Sequence, residues 1–296
     1  MLAHQSIALG DSDVVVAGGQ ENMSLAPHLL MNSRSGYKFG GTELKDHMQF
    51  DGLWDPYENM AMGNCGEICA EKYGFTREQQ DAFAIESYER SRKASESGHF
   101  KNEIVPIEIK KRRETISFVQ DEEPFSVKLE KVPALRPAFK KDGTVTAANA
   151  SSINDGAAVT LMMSASKAKE LRLKPIAKIK STASYAHEPS WFTTAPINCI
   201  KKALKKADLK TDDIHHYEIN EAFSVVTMAA IQDLKLDPKK VNPYGGAVSL
   251  GHPIGASGTR LFVTMLNGLK QSGGKYGLTT LCIGGGEASA VIVEML

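Results

Sequence analysis

The sequence predicts an α/β protein, and three observations carry this. From about residue 153 to the C-terminus, short apolar runs of strand length alternate with stretches of helical character. A separate strand-like run, residues 13–18, stands ahead of them near the N-terminus. Between the two lies a section, from about residue 22 to about residue 152, that is polar, rich in Gly, Met and Lys, and poor in long strands. Alternating strands and helices imply layered sheets with helices on their faces. The polar section reads as an insertion between two parts of one scaffold.

Taken in order, residues 1–9 read as the last turns of a helix ended by Gly10, with no N-terminal cap before them. A globular chain that opens inside a helix is expected to continue upstream, and no signal or transit segment is recognisable. Residues 13–18 read as a buried strand closed by Gly18 and Gly19. Within the polar section one helix stands out over residues 76–97, with Thr76 as N-cap, Gln79 as its box partner and Gly98 just past its end. The basic run 110–113 reads as a solvated loop. Then follow a strand over 157–163, a helix over 164–171, a strand over 176–183, and a helix entered at Pro196 and running through Ala207. A strand over 214–219 leads into a helix expected from Glu221 to about Leu234. A helix over 256–271 precedes two strands, 278–283 and 289–294, joined by Gly284, Gly285 and Gly286.

Composition narrows the function. Of 296 residues, 42% are apolar and 24% charged, and 35 basic residues balance 35 acidic ones. That balance argues against a dedicated nucleic-acid binder, which needs a basic excess. No apolar run approaches the roughly 20 residues of a membrane span. Four cysteines are too sparse for a disulfide scaffold. Cys65 and Cys69 have helical i, i+4 spacing, but no nearby His or Cys completes a zinc site.

The residues that carry chemistry lie late in the chain. His252 stands between Gly251 and Pro253, ahead of a Gly-Ala-Ser-Gly helix entry. A His there can act as base or donor at neutral pH, although the pattern alone equally fits a turn histidine packed by chance. Cys282 follows an apolar strand and precedes three glycines, whose N–H groups can bind an oxyanion; a small buried hydrophobe at a strand end fits the same pattern. Asn220 ends a strand, a usual place for functional groups in α/β sheets, and could orient a water or hold His252 or simply cap a helix. Residues 143–151 are small, leaving room for an extended ligand and exposing carbonyls able to hold a monovalent cation, or forming merely a tight loop.

These pieces occur together in the thiolase family. The segment 251–258 resembles its histidine motif, 282–286 its second-cysteine motif, and 220–223 its Asn-Glu-Ala-Phe box. Residues 146–151 with 154–158 resemble its coenzyme A loop, and 16–24 its N-terminal pattern. The resemblance runs the length of the chain with the motifs in register, and is closest to the acetoacetyl-CoA subgroup of the mitochondrial, potassium-responsive kind. It implies a five-layer αβαβα fold with an inserted loop domain. Residues 1–23, continued at 153–175, would belong to an N-terminal half that is incomplete. Residues 24–152 would be a coenzyme A-binding loop domain, and 176–296 the C-terminal half.

The roles implied are these. His252 would activate a nucleophilic thiol and help form a first oxyanion hole, with Asn220 holding its water. Cys282 would be the acid/base for the second acetyl-CoA, and the N–H of Gly284 would serve a second oxyanion hole. Ser151, with Ala148, Met62 and Lys131 near it, would meet the pantetheine, and Phe223 would wall the acyl pocket. Tyr88 and the carbonyls of Ala147, Ala148, Ala150 and Val248 would form a potassium site. The reaction implied is acyl transfer between coenzyme A thioesters, two acetyl-CoA giving acetoacetyl-CoA and coenzyme A, with thiolysis as its reverse. No covalent cofactor, nucleic acid or membrane is expected, and a homodimer or homotetramer is.

Two departures qualify this expectation. The family's nucleophilic Cys, in its Cys-(Ala/Gly)-Ser-Gly helix start, would fall upstream of Met1, so these 296 residues are expected not to form an acyl-enzyme. Ala61 stands where the acetoacetyl subgroup typically shows His, which makes preference for longer 3-ketoacyl chains an alternative. A non-catalytic coenzyme A-thioester binder or partner subunit is the other alternative. The compartment, mitochondrial or else cytoplasmic, rests on subgroup likeness alone.

Overall fold

The structure is a computed structural model and describes residues 1–296. Helix α1 (Leu2–Leu9) ends at Gly10, whose φ of 81° lies in the left-handed region. Strand β1 (Val14–Glu21) departs from expectation in two ways. It runs through Gly18 and Gly19 rather than stopping at them, and its residues alternate between exposed and half-buried. The glycines serve close packing: a Cβ on Gly18 would strike the carbonyl of Ala158, and one on Gly19 that of Gly255.

The polar section that follows holds only short ladders. β2 (His28–Leu30) pairs with β3 (Leu44–Asp46), and β4 (Trp54–Asp55) with β5 (Met60–Ala61), all antiparallel. Two helices give it substance, α2 (Met62–Tyr73) and α3 (Arg77–Glu96). At the start of α3 the Gln79 amide donates to Thr76 Oγ1 at 3.2 Å and the Thr76 amide donates to Gln79 Oε1 at 2.9 Å, the expected capping box. A hairpin of β6 (Ile107–Lys110) and β7 (Thr115–Phe118) carries the basic run at its exposed tip. The short α4 (Glu123–Ser126) follows. The chain then returns as β8 (Gly156–Met163), antiparallel to β1 from Val14 opposite Met163 to Glu21 opposite Gly156. The insertion therefore leaves from the end of β1 and re-enters at the start of its neighbour.

The remainder alternates as expected: α5 (Ala165–Glu170), β9 (Ala177–Ala186), α6 (Ala195–Ala207), β10 (His216–Ile219), α7 (Ser224–Leu234), α8 (Ala247–Leu250), α9 (Ile254–Ser272), β11 (Tyr276–Ile283) and β12 (Glu287–Met295). The four strands form one sheet in the order β10-β11-β12-β9, with only β10 and β11 parallel. Helix α7 starts at Ser224, three residues later than expected. Phe223 is extended, with φ −140° and ψ 150°, and bridges Ala150, so the chain turns helical only after that pairing.

Helix α6 packs on β9, β11 and β12, while α9 lies between this sheet and the β1–β8 pair, touching β10 and β11 on one side and β1 and β8 on the other. The layers thus stack helix, sheet, helix, sheet. The largest buried cluster sits in the C-terminal part and includes Ile200, Ile214, Tyr217, Ile219, Val225, Leu278 and Ile292. By contrast, Val14, Val16, Val159 and Leu161 are exposed on the outer face of the β1–β8 pair. No helix is long and apolar enough to cross a membrane.

Candidate active site

The site gathers at the ends of β10 and β11 and at the start of α9. Asn220 follows β10, and its amide donates to the Thr280 carbonyl at 3.0 Å, extending the pairing with β11 by one step. This fixes a fully buried Asn at the strand end. Gly251 precedes the histidine with a φ of 88°, and a Cβ there would overlap the Asn154 side chain. Only glycine satisfies both conditions. The His252 amide then donates to the Ser152 carbonyl at 3.1 Å, which turns the imidazole toward Asn220.

The hydrogen bonds fix the tautomer of His252. Nδ1 lies 2.6 Å from Ser257 Oγ, and that hydroxyl gives its only hydrogen to the Pro253 carbonyl at 3.0 Å. Ser257 must therefore accept, so Nδ1 carries the proton. Nε2 is left with a lone pair, and Asn220 Nδ2 donates to it at 3.1 Å. Burial, and secondarily the positive charge of Arg260, lowers the His252 pKa to about 4. A neutral imidazole with a directed lone pair is a general base. Asn220 Oδ1, also buried, has no partner within the chain.

Across the site, Cys282, one residue before the end of β11, lies within an apolar cluster of Cys65, Phe192, Ala222 and Val226, bordered by Met60, Met62 and Phe223. The turn after it uses left-handed glycines, Gly285 at φ 96° and Gly286 at 88°, and the latter packs against the carbonyl of His187. The Met62 side chain closes over Gly284, its methyl 3.0 Å from where a Cβ would stand. Burial pushes the Cys282 thiol up to about 12. The other three thiols are also raised by burial, Cys65 and Cys69 to about 11 and Cys199 to about 12. None of the four hydrogen-bonds to His252, whose ring partners are Asn220 and Ser257.

The small-residue loop 143–151 is shaped from beneath. Glu67 of α2 accepts the amides of Thr144 at 2.9 Å and Val145 at 2.8 Å, and the Thr144 hydroxyl at 3.0 Å. Asn149 accepts the Thr146 amide at 2.8 Å and donates to Asp81 of α3 at 3.0 Å. Ala148 is buried in this loop. The Ser151 hydroxyl donates to the Ala222 carbonyl at 3.0 Å, tying the loop to the wall that carries Phe223. Lys131 stands exposed on the turn Leu129–Ala134 and makes no hydrogen bond to the other candidate residues.

Among the residues considered for potassium, Tyr88 and Val248 pack together in a small cluster with Ala84. The Tyr88 hydroxyl donates to Glu123 at 3.5 Å. Ala147, Ala148 and Ala150 lie on the loop, tethered to α3 by the bond from Gln80 Nε2 to Thr144 Oγ1 at 2.8 Å. The carbonyls of Ala147 and Ala148 accept no hydrogen bond within the chain. No group of three or more His, Cys, Asp or Glu is placed to hold a metal ion.

Sequence reasoning missed three contributors. Ser257 sets the tautomer of His252; its signal was the position one turn along the helix the histidine precedes. Glu221 is fully buried rather than opening a helix. It accepts Ser87 Oγ at 2.7 Å, Asn242 Nδ2 at 2.8 Å and the Val248 amide at 3.2 Å, so it binds the loop before α9 to α3. Its burial raises its pKa, and these donors offset part of the rise. Cys65, which the sequence shows only as half of an incomplete metal spacing, is brought by α2 into the cluster of Cys282. Nothing in its local sequence signals that long-range contact.

Comparison with known proteins agrees with this geometry. Residues 1–166 match the thiolase N-terminal domain and residues 173–295 the thiolase C-terminal domain. An acetyl-CoA acetyltransferase of Yarrowia lipolytica is 51% identical over 293 residues, spanning 99% of this chain and 72% of the relative. The acetyl-CoA acetyltransferase of Saccharomyces cerevisiae is 49% identical, spanning 100% and 75%. The crystal structure of the Bacillus anthracis acetyl-CoA acetyltransferase superposes with a TM-score of 0.96 at 43% identity, over 100% of this chain and 75% of that one. A thiolase of Ascaris suum in complex with coenzyme A gives 0.94 at 47% identity, with the same coverage.

Proposed function

This chain belongs to the thiolase family and is an enzyme of the acyltransferase class, and from that premise we propose that its site handles acetyl-CoA in the condensation to acetoacetyl-CoA and in the reverse thiolysis. The observation that carries the reading is the His252 lone pair, held by Asn220 and Ser257, in the same site as a buried thiol beside a glycine turn. Relatives named acetyl-CoA acetyltransferase support the substrate, as does the solved neighbour holding coenzyme A.

In this reading Cys282 removes a proton from the methyl of a bound acetyl thioester. A thiol pushed up to about 12 rests protonated at neutral pH, so its proton must first be lost to water; the small thiolate fraction is then a strong base, suited to a carbon acid. The enolate oxygen meets the N–H of Gly284. The enolate carbon attacks an acyl thioester whose carbonyl oxygen accepts the second hydrogen of Asn220 Nδ2, the first being held by the His252 lone pair. A carbon–carbon bond forms, the carbon–sulfur bond breaks, and the departing thiolate takes a proton. Met62 and Phe223 bound the acyl space, while Ala148 and Ser151, with Lys131 at the rim, receive the pantetheine arm. The carbonyls of Ala147 and Ala148, free of internal partners, with Ala150, Tyr88 and Val248, fit a potassium ion that would stiffen loop 143–151. We propose a mitochondrial location and a homo-oligomer on subgroup likeness alone.

None of the four thiols hydrogen-bonds to His252, which supports a role for residues 1–296 in the enolising half of this chemistry rather than as the acyl-enzyme. Two measurements test the reading. Acetyl-CoA incubated with the folded chain in D2O is expected to gain deuterium in its methyl group, and Cys282→Ala to abolish the exchange. No exchange by the folded wild type refutes the role of Cys282. Radiolabelled acetyl-CoA is expected to leave no covalent label on the purified chain, and trapping an acetyl group on any of its four cysteines refutes the division of labour.

A further inference from the structure

The two residues that define the base belong to different elements. Asn220 is carried by β10 and His252 by the entry to α9, and their bond survives only if strand and helix keep register. His216, Glu218 and Asn220 alternate along the chain, so they share one face of the strand. That face meets α9. At one end a Cβ on Gly268 would strike the His216 ring, so the helix backbone lies directly on it. At the other end stands the bond from Asn220 to His252. Midway, Glu218 is fully buried and accepts Arg260 Nη1 of α9 at 3.4 Å and His216 Nε2 at 2.8 Å. A carboxylate only accepts, so His216 must carry its proton on Nε2.

We propose that Arg260, anchored by Glu218, is a positioning residue for the active site: the pair clamps α9 to β10 and thereby keeps His252 within hydrogen-bond distance of Asn220. The inference rests on the proposed place of the Asn220–His252 pair at the acyl carbonyl. Arg260 lies two turns beyond His252 on the same helix entry, so its guanidinium also acts on the imidazole through space, and it contributes to the lowered His252 pKa. The charged groups around this clamp come from every neighbouring element. Glu218 and His216 come from β10, and Glu103 follows the turn His99–Asn102. Asp121 lies before α4, and Glu21 of β1 accepts the Gly255 amide at 3.1 Å. Glu103 faces the same stretch of α9, accepting Thr264 Oγ1 at 3.0 Å one turn past Arg260. Of these carboxylates only Glu218 touches the guanidinium, so it alone anchors the positive charge that acts on His252.

The test is an NMR titration of the His252 ring in the full chain, which requires no turnover and so stands whether or not the acyl-transfer reading does. Arg260→Met is expected to raise the His252 midpoint by roughly one pH unit, and Arg260→Lys, which keeps the charge, to restore most of the shift. Glu218→Gln removes the anchor while leaving the guanidinium charge; it is expected to raise the midpoint as well, because a loosened ring regains hydration and moves toward its ordinary value. The side-chain amide resonance of Asn220 is expected to move in both Arg260→Met and Glu218→Gln and to stay near its wild-type position in Arg260→Lys. An Asn220 resonance and a His252 midpoint unchanged in Glu218→Gln overturn the proposal, as does a midpoint unchanged in Arg260→Met. If Arg260→Met fails to fold, Glu218→Gln against Arg260→Lys decides alone: a shift in the first and not in the second supports the clamp, and equal behaviour overturns it.

Discussion

The two sheets of this molecule are held in opposite ways. The four-stranded sheet is covered on one face by α6 and on the other by α9, and its strands supply the largest buried cluster. The β1–β8 pair meets α9 on its inner face only, and its outer face shows Val14, Val16, Val159 and Leu161 to solvent. The candidate side chains follow the better-held sheet: Asn220 leaves β10 and Cys282 lies one residue before the end of β11. The two-stranded sheet contributes support through Glu21 at the first turn of α9, and the loop that enters β8 sets Ser152 behind the His252 amide. Groups that must stay within hydrogen-bond distance sit where burial restricts motion.

The sharpest way to break this comparison is to delete matched apolar groups from the two sheets. Ile292 of β12 is fully buried between α6 and its neighbouring strands. Ile292→Ala is expected to cost about 2–5 kcal/mol, from lost transfer energy and the cavity left behind. Urea unfolding followed by far-UV circular dichroism measures it. A loss below about 1 kcal/mol would mean that the four-stranded sheet does not carry the core.

The same contrast explains what was legible in the sequence. Strands and helices over residues 153–296 were found in order, because each buries an apolar face and so shows its period. The capping box at Thr76 and Gln79 was legible because both of its bonds are local. The end of β1 was misplaced because Gly18 and Gly19 usually stop strands, and only the approach of β8 and α9 explains why these do not. The start of α7 was misplaced because Phe223 pairs with Ala150, a contact far away in sequence. At the site, His252, Cys282 and Asn220 stood out by their glycine neighbours and strand ends. The roles of Ser257, Glu221 and Glu218 in holding their surroundings emerge only from packing.

A second, smaller effect separates the site from its support by pH. The His252 pKa is lowered from 6.5 to about 4, so below 6.5 the unfolded chain takes up a proton that the folded chain refuses. His252 therefore contributes stability above pH 6.5, which is lost as pH falls toward 4. Glu103 has the opposite sign. Burial raises it from 4.5 to about 7, so the folded chain binds the proton first and gains stability as pH falls from 7 to 4.5. Each contribution is at most about 3 kcal/mol, and over pH 4.5–6.5 the two largely cancel. Relative to wild type, His252→Asn is expected to gain stability on going from pH 7 to pH 5, and Glu103→Gln to lose it. Urea midpoints at the two pH values decide the matter, and equal pH dependence in all three proteins would remove both titrations from the account.

The smallest expected effect lies on the open face of the β1–β8 pair. Val16 stands directly opposite Leu161, and both are exposed. Val16→Thr keeps the β-branched shape that suits a strand and removes only a methyl group already in water. It is expected to change stability by no more than about 0.5 kcal/mol. A two-stranded ribbon is marginal alone, so a larger loss would mean that this face is covered in solution. Sedimentation velocity on the same preparations makes the outcome specific. A loss above 1 kcal/mol, together with a fall in sedimentation coefficient, would show the valine face buried between copies of the chain. Both sheets would then be two-sided, and the difference between them would lie in what covers them.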